Sequence, residues 1–377
     1  MVFYLRAGNT NNKDKDRIVL REDVDMGQRK FKNWRDLASL DYFELLEDGR
    51  LALVADSVED CVDMHTHFGC TFLIAKPVDL LAKPPLLHNF EPDLPVDLDL
   101  YSGEDFHNVR PDWAMEDYKG QALAWTGNQK YKHCTHTVAN LLWEMDALKI
   151  KHSVSLCLDI TNSTNSKRIM EAVRNEPRII FYPCLHPKDR HAEAKIEEYV
   201  QGGALGMKMH PEIVRTAIDD ESSINLARLW AKKSNGMPVL PHSGFNGFEP
   251  EKVREHANID KYEPLCAALA ETNTPCILGH AAMNQYKKAT ALAQKFDNVY
   301  LEIGGQPPAH LKWMIDTIGF DRLVYGTDWP VYPQSIPMAK ILITTEQYPE
   351  ARMPILRDNA MRLINGAREK SPVAMSV

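Results

Sequence analysis

Asp63-Met-His-Thr-His-Phe-Gly69 sets two histidines, His65 and His67, two residues apart, directly after the apolar-leaning run Leu51 to Val62. In an extended strand, residues i and i+2 point to the same face. Both imidazoles therefore leave a strand end side by side, as ligands of one divalent ion do. A His-x-His pair alone is more often a surface or structural feature. Its meaning depends on whether further ligands arrive at other strand ends.

Outward from this stretch the chain acquires a rhythm. Short β-rich runs follow at Ser153–Leu158, Arg178–Tyr182, Ala204–Lys208, Pro238–His242, Cys276–His280, Val299–Ile303 and Arg322–Gly326. Helix-like stretches lie between them, at Asn165–Asn175, His191–Gln201, Ser222–Ser234, Tyr262–Glu271 and Asn284–Lys295. Such alternation predicts an α/β fold with a parallel sheet. Counting the strand before His65 there are eight βα units, which fit a (β/α)8 TIM barrel better than an open doubly wound sheet. No Gly-x-Gly-x-x-Gly follows a strand, which weakens a dinucleotide-binding reading.

Two segments fall outside the rhythm. Residues 1–60, with a polar stretch at 9–17, a strand-like Arg17–Arg21 and an Asp48-Gly turn, read as an N-terminal appendage packed on a barrel domain of residues 61–370. Residues 70–135 form a long insertion after strand one, rich in proline and carrying Phe106, Trp113, Tyr118 and Trp125. Long loops of this kind are usually functional, and this one is expected to form a lid or substrate wall over the C-terminal mouth.

Composition excludes several classes. The chain of 377 residues carries a formal charge of −8, which argues against non-specific nucleic-acid binding. Seven scattered cysteines without a Cys-x-x-Cys indicate free thiols in a reducing compartment rather than a disulfide framework. No signal-peptide stretch or membrane-length apolar run is present. The expectation is a cytoplasmic enzyme acting on a small molecule, with no membrane or nucleic-acid partner. A homodimer is only a fold-level expectation.

The polar residues then fall into place. His65 and His67 end strand one, Lys208 strand four, His242 strand five, His280 strand six and Asp328 strand eight, in Gly326-Thr-Asp-Trp-Pro330. In a barrel these ends converge on one rim, where catalytic groups collect. Imidazoles and a carboxylate suit zinc or another first-row divalent ion, manganese included. An open metal position lowers the pKa of bound water to about 7 and polarises a carbonyl. Asp328 is suited to take the proton from that water, and His280 to hold or protonate the substrate oxygen.

With these motifs on the page, the chain resembles the amidohydrolase superfamily, in the branch that includes aminocarboxymuconate semialdehyde decarboxylase. The similar stretches are Asp63–His67, Gly206–Pro211, Pro238–Gly244, Leu278–His280 and Tyr325–Pro330, with Ile355–Ile364 similar to the closing helix. The resemblance implies metal ligation by His65, His67, His242 and Asp328. His280 is then a catalytic base beside one metal or a ligand of a second. In two-metal relatives a lysine at the position of Lys208 becomes a carbamate that bridges both ions, so one ion and two ions both remain open. The appendage and the insertion depart from the branch's usual short form.

Two enzymatic readings follow. The leading one is a metal-dependent hydrolase using metal-activated water on an amide, lactone or ester. The alternative is a non-oxidative metal-dependent decarboxylase or hydratase of an unsaturated or aromatic acid. The alternative needs a cation for the substrate carboxylate, and Arg190, Arg215 and Arg254, after strands three, four and five, are its candidates. A catalytically silent barrel would usually have lost a ligand, and none is missing.

Overall fold

The β-rich runs form eight short parallel strands whose residues are mostly buried, as strands covered by helices must be. The computed structural model describes residues 29–70, 79–83, 95–102, 136–159, 163–245 and 250–373. In chain order the barrel strands are Cys61–Thr66, Ile150–Leu156, Ile179–Tyr182, Met207–Met209, Val239–Pro241, Cys276–Leu278, Val299–Glu302 and Leu323–Val324, here strands one to eight.

Continuous ladders join strands one, two and three in one sheet and strands four to eight in another. Each of the two seams between these sheets carries a single parallel bridge, Cys184 to Lys208 and Thr66 to Trp329. Backbone hydrogen bonds support both. Lys208 N–H donates to Pro183 O at 2.8 Å, and Met64 N–H to Tyr325 O at 2.9 Å. Asp328 N–H donates to His65 O at 2.8 Å, and His67 N–H to Trp329 O at 2.7 Å. The second seam thus ties the His-x-His stretch directly to the segment carrying Asp328.

The outer helices read as one-sided. Asn165–Val173 buries Asn165, Ser166, Ile169, Met170 and Val173, the three-and-four spacing of a helix against a sheet. Glu221–Lys233 begins at Asp220, whose carboxylate accepts from Ser222 N–H, and ends in Lys232 and Lys233, which suit the negative end of the helix dipole. The closing segment runs from Pro349 to Lys370, with one wider turn at Pro354–Asp358.

Before strand one, Phe43–Leu45 pairs antiparallel with Leu51–Leu53, and Lys30–Phe31 pairs with Val96–Asp97. Between the hairpin strands Gly49 takes φ +83°, which explains the Asp48-Gly turn. Phe31, Trp34, Leu37, Phe43 and Leu51 join the same apolar cluster as the barrel core. Arg17–Arg21 lies outside the described residues, as does most of 70–135 with its four aromatic residues. Of that insertion, residues 100–102 are held by the fully buried Lys340, whose Nζ donates to Leu100 O and Ser102 Oγ at 2.8 Å each and to Gly305 O at 3.0 Å.

Candidate metal centre

Strand one turns both histidines inward, and their ring nitrogens meet. His65 Nε2 and His67 Nε2 are 3.1 Å apart. Asp328 Oδ1 lies 3.1 Å from His67 Nε2 and 3.4 Å from His65 Nε2. His67 Nδ1 donates to Leu156 O at 2.7 Å, which leaves Nε2 as the ring nitrogen facing Asp328. These separations match the edge of about 3.3 Å expected of a tetrahedral set at about 2.0–2.1 Å from its metal. Electron-rich atoms brought this close call for a cation, and a divalent metal fits the donor set. His65, His67 and Asp328 would hold it.

Lys208 and His280 complete the cluster. Lys208 Nζ sits 3.3 Å from His65 Nε2. The His280 ring stacks on His65 at 4.5 Å, and its Nε2 is 4.0 Å from Asp328 Oδ2. His280 Nδ1 is buried without a hydrogen-bond partner. His280 and Asp328 both adopt left-handed backbone, with φ +57° and +62°, conformations that non-glycine residues take mainly at turns and functional sites.

Burial dominates the electrostatics. It pushes His242 and His280 down to about 3 and His65 well below its ordinary value, so these rings are neutral at pH 7. Burial also pushes the Lys208 ammonium down to about 8, against the pull of Asp328 and Glu302. For Asp328 burial acts upward, but His67, His280 and Lys208 more than offset it and hold the carboxyl below the usual range.

His242 is placed differently from its five companions. Its ring meets His280 edge-on at 5.2 Å, while its Nε2 lies 3.4 Å from Glu212 Oε2. His210 stacks on it at 4.1 Å, within 8° of parallel. His242, His210 and Glu212 thus form a second buried group of metal-capable side chains, beside the group of His65, His280 and Asp328.

Four acidic or imidazole residues were not singled out from the sequence. His210 and Glu212 follow Lys208 at two-residue intervals, and that alternation was the available signal. Glu302 ends strand seven, fully buried, with Oε2 2.6 Å from His65 Nδ1. Asp63 opens the His-x-His stretch and accepts from His65 N–H and Thr327 N–H at 3.0 Å each, Thr327 Oγ1 at 2.6 Å and Gln334 Nε2 at 2.7 Å. It staples strand one to the Asp328 loop, although burial raises its carboxyl to about 7. Buried acids inside apolar runs carry no periodic signature.

The three candidate arginines differ in setting. Arg190 lines a cavity of about 420 Å³ beyond strands two and three, with Asp159, Cys184, His186 and Tyr199. Arg215 is exposed and Arg254 half-buried. The Lys208 ammonium lowers His65, His242 and His280 further, beyond the effect of burial.

A parallel barrel with imidazole and carboxylate donors gathered on its C-terminal rim is the architecture of the metal-dependent amidohydrolases. The chain belongs to the amidohydrolase family, whose model matches residues 62–365. Solved structures of similar fold include an uncharacterized TIM-barrel protein from Bordetella bronchiseptica, at 19% identity and TM-score 0.52, covering 62% of this chain and 84% of that one. Another is 5-carboxyvanillate decarboxylase from Sphingomonas paucimobilis, at 13% identity and TM-score 0.52, covering 82% and 99%. A third is 5-carboxyvanillate decarboxylase from Novosphingobium aromaticivorans, solved with manganese and 4-hydroxy-3-methoxy-5-nitrobenzoic acid, at 12% identity and TM-score 0.51, covering 85% and 99%. At these identities the likeness is one of fold. No curated protein matches the sequence. Among the described residues, no helix is long and apolar enough to cross a membrane.

Proposed function

We propose that the protein is a non-oxidative, metal-dependent decarboxylase of an aromatic or unsaturated carboxylic acid, with one divalent ion held by His65, His67 and Asp328. The observation that carries this reading is the buried Lys208, whose Nζ lies 3.3 Å from His65 Nε2 beside the His67 and Asp328 donors. The Nε2 of His242 lies 3.4 Å from Glu212 Oε2, outside that trio. Lys208 is then left as a buried cation next to the three-donor set, suited to receive a carboxylate. The decarboxylases of similar fold support the same choice, which the sequence alone had ranked second.

A bound divalent ion supplies charge stabilisation at an oxygen of the acid. The protein's own groups do the rest. Lys208 binds and orients the carboxylate. As the bond from carbon to carboxylate breaks, carbon dioxide leaves and a proton must reach the carbon. His280 and Asp328, 4.0 Å apart and facing each other, can hold and move that proton. Burial of His65, His67, Lys208 and His280 limits the water that reaches the carbanion-like carbon.

Hydrolysis of an amide, lactone or ester is the second reading, favoured by the presence of Lys208, His242 and His280 together. A substrate panel on enzyme reconstituted with zinc or manganese separates the two. Carbon dioxide released from aromatic or unsaturated acids is the expected result. Turnover of amides or lactones with no acid decarboxylated overturns the proposal.

A further inference from the structure

We propose that Glu302 is a positioning residue, which fixes His65 in the tautomer that turns Nε2 toward His67 and Asp328 and thereby sets the cation affinity of that trio. The inference rests on the metal-site reading above.

Glu302 is fully buried, and its carboxylate is oriented by backbone before it meets His65. Oε2 accepts from His280 N–H at 2.9 Å, and Oε1 accepts from Gly304 N–H. Its side-chain contacts are His65 Nδ1, at 2.6 Å from Oε2, and His280 Nδ1, farther off at 3.8 Å. With both oxygens of Glu302 already accepting backbone N–H groups, the imidazole N–H of His65 is the donor that suits Oε2. Nε2 of His65 is then left with a lone pair. His67 reaches the same tautomer independently, through Leu156 O. Without Glu302, His65 can move its proton to Nε2 and hydrogen-bond His67 or Asp328 across 3.1–3.4 Å, closing the set on itself.

The space for Glu302 is built into its neighbours. A Cβ on Gly304 would lie 2.5 Å from Glu302 Oε1, and one on Gly326 would lie 2.4 Å from the same atom. Neither glycine is among those with positive φ, so room for this carboxylate is what the two positions supply. The same carboxylate also holds the backbone of His280. One side chain therefore anchors two of the site's imidazoles.

The test measures zinc affinity by competition with a chromophoric chelator, alongside the ring-nitrogen tautomer of His65 by 15N NMR of the zinc-free protein. Wild type should show His65 protonated at Nδ1. Glu302→Gln puts an amide N–H where backbone N–H groups already point. Gly326→Ala displaces Glu302 without altering it. Both variants should bind zinc about 10–100-fold more weakly, with a larger share of His65 protonated at Nε2, while circular dichroism of the zinc-free proteins remains that of a folded barrel. Wild type that binds no zinc overturns the metal-site reading itself. Wild type that binds zinc as tightly as both folded variants, or that carries the His65 proton on Nε2, overturns the role of Glu302 alone.

Discussion

Lys208 Nζ lies 3.3 Å from His65 Nε2, with Lys208 fully buried, so a cationic side chain stands within hydrogen-bond reach of a metal-capable ring. Taking a lysine out of water is costly unless its charge is used. Lys208→Met should lower kcat/KM by 100-fold or more, about 2.7 kcal/mol of transition-state stabilisation, on whichever acid the wild type decarboxylates. Retained activity would remove Lys208 from the mechanism.

Gly206 stands against the ring of Tyr182 in the opposite manner to a flexible contact. A Cβ there would fall 2.2 Å from Tyr182 Cζ, and that tyrosine is fully buried. Gly206→Ala should destabilise by about 1–3 kcal/mol through overpacking, read as a lower urea midpoint with an unchanged slope. A midpoint within error of wild type would mean the ring gives way.

His136 makes stability depend on acid. Burial pushes its imidazole down to about 3, below the ordinary 6.5. Below pH 6.5 the unfolded chain takes up a proton there that the folded chain does not, so stability is lost as pH falls toward 3. Asp63 and Glu302, raised by burial, act in the reverse direction, so a comparison with His136→Phe is needed. Relative to that variant, wild type should lose about 1.4 kcal/mol per pH unit between pH 6 and 4. Urea titrations at three pH values read the difference, and parallel pH curves would contradict it.

The thiols should be silent in the native protein. Cys61, Cys70, Cys157, Cys184, Cys266 and Cys276 are all free and buried. Burial pushes Cys61 and Cys184 up to about 12, where almost no thiolate exists at pH 8. Cys134 lies outside the described residues, so the measurement uses Cys134→Ser. That variant should react with a thiol reagent at pH 8 only after denaturant is added, then at six positions. Rapid native labelling would place at least one of these cysteines at a mobile surface.

Much of the frame was legible in the sequence. Alternating β-rich and helical stretches, each defined by contacts between near neighbours, specify eight strands and their helices, and the two-residue spacing of His65 and His67 specifies that they share a face. The starts of the helices at 165, 192 and 221 fall within one residue of the sequence reading, because apolar spacing is local. Lys208 lies within strand four, and His242, His280 and Asp328 follow strands five, six and eight by one, two and four residues.

What the sequence by itself determined, then, is a barrel with ligand-capable residues on one rim. Which of them share a centre was decided by the tertiary structure. His242 lies between His280 on one side and Glu212 and His210 on the other, a placement that depends on its neighbours across the sheet. Glu302 was hidden in the run Val299–Ile303 and gained its role only when strand seven brought it to 2.6 Å from a histidine on strand one. Asp63 likewise became a staple only once the eighth strand's loop arrived. Local spacing sets which face a side chain leaves from, whereas the burial that makes an imidazole neutral, a carboxylate an anchor and a lysine a buried cation exists only after distant strands have closed around it.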